Sequence, residues 1–141
     1  MRIERVTEAS DEIVDALARL VPQLSSRTPP TLDQLRDLLA YDRTHLLVAR
    51  GDAGIVGSLT LVVHRIPTGL GGWIEDVVVD EAARGQGIGE ALTRAAQQIA
   101  VNEGVEVVAL TSRPAREAAN RLYRRLGFEP RETNVYVWRP V

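Results

Sequence analysis

The chain has 141 residues, a formal net charge of −2, 45% hydrophobic residues and 26% charged residues. This balance is typical of a soluble globular protein, and the length predicts a single domain over residues 1–141. A chain with net negative charge offers no basic surface for nucleic acid. No apolar run approaches the roughly 20 residues needed to span a membrane, and no signal peptide is recognisable, so we expect a cytoplasmic protein without a membrane partner.

Two residue types are missing from the sequence, and their absence excludes several chemistries. There is no cysteine, and all 17 basic residues are arginine. Disulfides, thiolate ligands, cysteine nucleophiles and lysine Schiff bases are therefore excluded. The two histidines, His45 and His64, are far apart and lack the spacing of metal ligands, so we expect no metal site.

The first half of the chain predicts a short strand, two helices and a hairpin. Residues 3–6 are strand-like, and Ser10 is placed to cap a helix whose apolar residues follow the helical period. Thr31 and Gln34 form the capping box of a second helix. Strands at 45–50 and 55–63 are joined by a Gly-Asp-Ala-Gly turn.

The second half predicts alternating strands and helices after a turn-rich link at residues 67–72. Strands are expected at 73–79, 105–110 and 134–138. One helix ends at Gly104, and another begins at Pro114 and ends at Gly127. The expected order is βααβββαβαβ, with a parallel crossover in this half.

Three alternating glycines separate a predicted strand from a predicted helix, in the run Arg84, Gly85, Gln86, Gly87, Ile88 and Gly89. Glycine lets the backbone approach a ligand closely, and a helix N-terminus adds unpaired N–H groups and a positive dipole end. The planar cation of Arg84 suits phosphate oxygens. The run therefore predicts a phosphate or pyrophosphate site. Its third glycine comes one residue too early for a dinucleotide-binding loop.

This run resembles the Arg/Gln-x-x-Gly-x-Gly/Ala signature of the GNAT superfamily of acetyltransferases. Residues 73–79 are similar to that family's central fourth strand, and residues 118–128 to its Ala-x-x-Leu-Tyr-x-x-x-Gly-Phe helix ending. The resemblance implies an α/β (α+β) GNAT fold, with a mixed central sheet of six to seven strands flanked by about four helices and splayed at strands 4 and 5. It also implies an N-acetyltransferase that moves an acetyl group from acetyl-CoA to the primary amine of a small molecule by direct transfer.

The resemblance assigns a cofactor-binding role to the end of the fourth strand. The pantetheine arm of acetyl-CoA is expected to pair with the backbone of Val77 and Val79. A backbone N–H near Val78 or Val79 is expected to polarise the thioester carbonyl. The run from Arg84 to Gly89 is expected to hold the pyrophosphate.

Glu75 and Tyr123 are the expected acid–base pair. Glu75 is expected to act as general base, and burial of its side chain would raise its pKa. Asp76 stays open as the alternative base. Strand alternation sends its side chain to the opposite face of the sheet, but a β-bulge would turn it back towards the site. Tyr123 matches the tyrosine that this family often uses to protonate the coenzyme A thiolate.

One position departs from the family's pattern. Where the family often has an asparagine seven residues before the tyrosine, this chain has Arg116. The cofactor contact of that asparagine is therefore expected from Asn120 or Arg116 instead.

The sequence leaves the acceptor amine open among amino sugars, amino acids, polyamines, drugs and peptides. The loop at 25–30 and a few residues are expected to border its pocket, namely His64, Arg65, Trp73, Ser112 and Arg113. Pairing at the C-terminal strand would support a homodimer. The alternative function is a non-catalytic acyl-CoA-binding sensor or regulatory domain, against which the presence of both Glu75 and Tyr123 argues.

Overall fold

The computed structural model describes all 141 residues as two compact units, residues 1–111 and 112–141. The first unit contains five strands, which are β1 Arg2–Arg5, β2 Thr44–Gly51, β3 Gly54–Ile66, β4 Gly69–Val79 and β5 Val107–Ala109. Its helices are α1 Asp11–Leu20, α2 Leu32–Leu39 and α3 Ile88–Asn102. The second unit contains one helix, α4 Glu117–Arg125. No helix is long and apolar enough to cross a membrane.

The first two helices begin where local side-chain chemistry predicts. The Ser10 hydroxyl accepts a hydrogen bond from the Ile13 N–H at 3.3 Å. At the start of α2, Thr31 Oγ1 accepts from the Gln34 N–H, and Gln34 Oε1 accepts from the Thr31 N–H. Both caps satisfy N–H groups that a helix leaves unpaired at its N-terminus.

The strands form one mixed sheet in chain order, β1-β2-β3-β4-β5. The first four strands pair antiparallel, and β5 joins β4 in parallel through the α3 crossover. The mixed sheet, the crossover and the four helices confirm the expected fold class. The number of strands was wrong, since five are present where six to seven were expected.

Helices cover the two faces of the sheet in different places. One face buries Leu46, Val48 and Val78 in a core that they share with residues of α1 and α2. The opposite face meets α3, where Gly57 leaves room for helix side chains: a Cβ at this position would lie 3.1 Å from Ile88 Cγ2. Residues paired across antiparallel strands share a face, so the register fixes the face of every strand residue.

Strand β4 starts four residues earlier than the sequence predicted. Only Pro67 and Thr68 lie between β3 and β4, and the expected link at residues 67–72 is otherwise strand. Glycine is disfavoured in isolated strands, but Gly71 and Gly72 here pair with His64 and Val63 of β3. Long-range pairing has therefore overridden local propensity.

The C-terminal strand expected at residues 134–138 is absent. This segment has no regular secondary structure, and Val135, Tyr136, Val137 and Trp138 are all exposed. An alternating sequence forms a strand only where a partner supplies the ladder of hydrogen bonds, and this segment pairs with no strand. The homodimer expected through this segment stays a prediction.

Two other boundaries also differ from the prediction. Strand β5 is three residues long instead of six, and its first residue, Val107, is exposed. Helix α4 begins at Glu117 instead of Pro114. The proline lies in a turn three residues before the helix.

Candidate active site

The candidate site begins at the point where β4 is no longer paired with β5. Pairing between β4 and β5 covers only Gly71 to Trp73, opposite Val107 to Ala109. Beyond Trp73, β4 continues to Val79 while β5 ends. The edge of β4 that faces away from β3 is therefore unpaired over its last six residues, which is the splay expected between strands 4 and 5.

A β-bulge interrupts this unpaired stretch. Glu75 pairs with Thr60 and Val78 with Ser58, so two residues of β4, Asp76 and Val77, oppose one residue of β3. Asp76 has a φ of +52°, a left-handed conformation that aspartate tolerates better than most residues. The sequence indicated that a bulge was possible but did not give its position. That position depends on the register between β3 and β4, which the sequence of β4 alone does not determine.

Beyond the bulge, the backbone of Val79 faces the open edge. The Asp80 N–H donates to the Val56 carbonyl of β3 at 2.8 Å. Because successive residues of a strand point their backbone groups to opposite edges, Val79 directs its N–H and C=O away from β3. The carbonyl accepts from Nε of Arg84 at 3.3 Å.

The glycine run adopts a backbone conformation that favours glycine. Gly85 and Gly87 both have a φ of +77°, a value that side chains rarely allow. Gly87 is the N-cap of α3, and no side chain caps this helix N-terminus. Arg84, Gly85, Gln86 and Gly87 are exposed, whereas the Ile88 side chain is buried. The run thus presents backbone N–H groups and one arginine to solvent at the positive end of a 15-residue helix.

Two contacts that the sequence did not reveal hold Asp80 and Glu81, the residues between β4 and the glycine run. Arg19 of α1 forms an ion pair with Asp80 at 3.5 Å. Gln23, just after α1, accepts a hydrogen bond from the Glu81 N–H at 2.8 Å. The partners are 58 or more residues apart, so no local pattern could have found them.

Both candidate bases on β4 are exposed. The side chain of Glu75 is therefore not buried within the sheet. Glu75 shares its sheet face with Thr60 and Val78, which is the face covered by α1 and α2 further along the sheet. The bulge starts at the next residue, so simple alternation does not place Asp76.

The second unit holds the remaining predicted residues on α4. Tyr123 is buried and contacts Phe128 edge-on, with 5.8 Å between ring centroids. Burial raises the pKa of the Tyr123 hydroxyl, and the charge of Arg116 partly opposes this. Asn120 Nδ2 donates to the carbonyls of Arg113 and Arg116, at 2.9 and 2.8 Å. The N–H groups of the Asn120 amide thus hold the turn that leads into α4.

The sequence of the chain matches that of a known protein family. The sequence model of the Acetyltransferase (GNAT) family matches residues 11–128. No curated protein sequence matches this chain.

Several solved structures resemble the chain along nearly its whole length. An aminoglycoside acetyltransferase from an uncultured soil metagenomic sample, in complex with sisomicin, is 26% identical, with a TM-score of 0.83 and coverage of 99% of this chain and 95% of that one. A transcriptional regulator from Bacillus halodurans is 28% identical, with a TM-score of 0.76 and coverage of 97% and 98%. Glucosamine-6-phosphate N-acetyltransferase from Arabidopsis thaliana shares the fold at 18% identity, with a TM-score of 0.83 and coverage of 97% of each chain.

The family match extends over most of the chain and includes β4, the glycine run and α4. On this ground, the chain belongs to the GNAT family of acetyltransferases.

Proposed function

We propose that this protein transfers the acetyl group of acetyl-CoA directly to the primary amine of a small molecule, with residues 1–141 acting as one domain. The observation that carries the proposal is the unpaired edge of β4, which leads through a bulge into the left-handed glycine run and the uncapped N-terminus of α3. This arrangement offers backbone groups to an extended ligand and N–H donors to an anion at its end.

Acetyl-CoA has the chemistry that this edge and loop would bind. Arg84 and the N–H groups of Gly85 to Gly89 would bind its pyrophosphate, because charged donors and a helix N-terminus both favour phosphate. The backbone of Val77 and Val79 would pair with the amide groups of the pantetheine arm. The orientation of Val79 away from β3 supports the Val79 N–H as the donor to the thioester carbonyl.

Glu75 and Tyr123 are proposed to move the protons of the reaction. Glu75 would take a proton from the amine as its nitrogen forms a bond to the carbonyl carbon, directly or through water. Tyr123 would donate its proton to the sulfur as the C–S bond breaks. The Tyr123 hydroxyl carries its proton at neutral pH, as an ordinary tyrosine does, so a proton is available for this transfer.

Asn120 and Arg116 are both proposed to contact the cofactor, and they differ in which groups are available for that contact. The side-chain N–H groups of Asn120 donate to the carbonyls of Arg113 and Arg116, just before α4. Arg116 is exposed and carries a full charge, so it is the better candidate for contact with a phosphate.

The acceptor is proposed to be a small-molecule amine. Two of the structural relatives act on small amines, an aminoglycoside and glucosamine 6-phosphate. The test is coenzyme A release from acetyl-CoA over a panel of amino sugars, amino acids, polyamines and peptides. Acetyl-CoA-dependent release with at least one small amine is expected.

The alternative is an acyl-CoA-binding regulatory domain without turnover. One observation favours it, since a relative with 28% identity is a transcriptional regulator. Tight binding of acetyl-CoA by calorimetry, with no coenzyme A released by any acceptor, would support this alternative and contradict the proposed transfer.

A further inference from the structure

The segment between β4 and the glycine run contains a short 3-10 helix, Glu81–Ala83. A helix leaves its first N–H groups without partners inside the helix. Asp80 Oδ1 accepts a hydrogen bond from the Ala82 N–H at 3.2 Å, and Gln23 Oε1 accepts from the Glu81 N–H at 2.8 Å. The start of this short helix is therefore completed by a side chain that lies 58 residues earlier in the chain.

Arg19, in the last turn of α1, contacts the same segment as Gln23. Its Nε lies 3.5 Å from Asp80 Oδ2, and its Nη2 donates to the Ile55 carbonyl near the start of β3. The side-chain N–H of Gln23 donates to the Arg19 carbonyl at 3.3 Å. Arg19 is exposed, and an exposed ion pair contributes little stability by itself. Gln23 is therefore the main contact between the end of α1 and the short helix.

The short helix determines where Arg84 lies. The Arg84 N–H donates to the Glu81 carbonyl at 3.4 Å, and Arg84 Nε donates to the Val79 carbonyl at 3.3 Å. Val79 itself pairs with Gly57 of β3, so the sheet holds the edge of β4 in place. A shift of the short helix would therefore move Arg84 and the glycines that follow it, and would leave the edge of β4 where it is.

We propose that Gln23, supported by Arg19, is a positioning residue for the pyrophosphate of acetyl-CoA. Gln23 holds the short helix in the conformation that presents Arg84 and the glycine run, without touching the cofactor itself. This inference rests on the proposed function, because it takes the run from Arg84 to Gly89 as the pyrophosphate site.

The position of Gln23 predicts a selective effect on ligand binding. When only a fraction of the molecules have the binding conformation, the observed dissociation constant rises by the inverse of that fraction. Without the Gln23 contact, the short helix would spend less time in that conformation. Ligands that carry the pyrophosphate should then bind more weakly. Ligands that use only the edge of β4 should bind as before.

The first test is calorimetric titration of Gln23→Met with acetyl-CoA and with acetyl-pantetheine. Methionine removes the acceptor oxygen and keeps an unbranched side chain of similar length. We expect the dissociation constant of acetyl-CoA to rise about 5-fold, the scale of one hydrogen bond, and that of acetyl-pantetheine to stay unchanged. Gln98→Met is the matched control, because the exposed Gln98 side chain donates only to Asn102 on the surface of α3. It should leave both dissociation constants unchanged.

A second substitution, Glu81→Pro, separates positioning from general damage. Proline removes the N–H that Gln23 satisfies and fixes φ in the helical range, so the short helix no longer needs this contact. Asp80 already has the extended ψ, 131°, that a residue before proline adopts. We expect Glu81→Pro to bind acetyl-CoA as tightly as the wild-type chain, and the addition of Gln23→Met to cause no further loss. A loss caused by lower overall stability would persist in the double variant.

Binding and turnover together distinguish the possible failures. Three results would overturn the role of Gln23: an unchanged acetyl-CoA affinity in Gln23→Met, equal losses for both ligands, or the same loss in the Glu81→Pro background. If the wild-type chain also releases coenzyme A with a small amine, such a result leaves the proposed transfer intact. A selective loss that Glu81→Pro removes, in a chain that releases no coenzyme A with any acceptor, would support the role of Gln23 and contradict the proposed transfer.

Discussion

At the scale of single residues, two neighbouring carboxylates compete for the role of base. Glu75 is the last residue before the bulge and shares a face with Trp73, whereas Asp76 lies in the bulge with a left-handed backbone. We expect Glu75→Gln to lower kcat about 10²-fold, the usual scale for a general base. Asp76→Asn serves as the matched control and should retain most of the activity. Steady-state kinetics in which Asp76→Asn is the more damaging variant would reverse the assignment.

Tyr123 combines burial with a proposed role as the acid. Tyr123→Phe should lower kcat about 10²-fold and leave the dissociation constant of acetyl-CoA unchanged, because the ring and its packing on Phe128 remain. Calorimetry and steady-state kinetics on the same preparation separate these two quantities. Unchanged turnover in this variant would remove Tyr123 from the mechanism.

The raised pKa of Tyr123 also predicts a dependence of stability on pH. The folded state holds the phenol proton more strongly than the unfolded state, whose tyrosine pKa is near 10. The free energy of unfolding should therefore fall as the pH rises above about 10, and Tyr123→Phe should reduce this fall. Urea unfolding between pH 8 and 11 measures the difference, and identical pH curves for the two proteins would contradict burial as the cause.

At the scale of secondary-structure elements, the two ends of α3 provide a controlled comparison. Gly87 at its start and Gly104 just after its end have nearly the same φ, +77° and +76°, and a Cβ at either position would contact nothing within 4 Å. Alanine at each should cost stability through the same backbone strain, about 1 kcal/mol. Gly87→Ala should in addition weaken acetyl-CoA binding, because it disturbs the helix N-terminus proposed to hold the pyrophosphate. Equal acetyl-CoA affinities in the two variants would separate that end of α3 from the binding site.

The contacts between elements explain why some features were predictable from sequence and others were not. The caps at Ser10 and Thr31 and the helix ends at Gly104 and Gly127 depend on residues within a few positions, and the structure has them as expected. The bulge at Asp76 and the strand conformation of Gly71 depend on β3, whose opposing residues precede them by seven positions or more. The contacts of Arg19 with Asp80 and of Gln23 with Glu81 join residues that are 58 or more positions apart. Local patterns therefore predicted helix caps and helix ends, but not strand register or contacts between distant residues.

At the scale of the whole molecule, Arg50 connects three elements of the first unit. Its Nε donates to Glu4 of β1 at 2.9 Å, and its two Nη groups donate to Glu12 of α1, each at 2.9 Å. These hydrogen bonds hold the pKa of both carboxyl groups below their ordinary value of 4.5. A lowered pKa contributes stability above the unfolded value, and this contribution is lost as the pH falls below about 4.5.

Arg50→Gln should therefore lose less stability than the wild-type chain between pH 6 and pH 3. Urea unfolding at several pH values in this range measures the change, with Arg36→Gln as the control. Arg36 pairs only with Asp33 within α2 and joins no separate elements. Parallel pH curves for the wild-type and Arg50→Gln chains would show that these carboxylates do not govern acid stability.

The central claim is that the run from Arg84 to Gly89 holds the pyrophosphate of acetyl-CoA. The most direct measurement is calorimetric titration of wild-type and Arg84→Ala proteins with acetyl-CoA and with acetyl-pantetheine, which lacks the pyrophosphate. Loss of a charged hydrogen-bond donor should weaken acetyl-CoA binding about 10-fold or more and leave acetyl-pantetheine binding unchanged. An unchanged dissociation constant for acetyl-CoA, or equal losses for both ligands, would contradict the account.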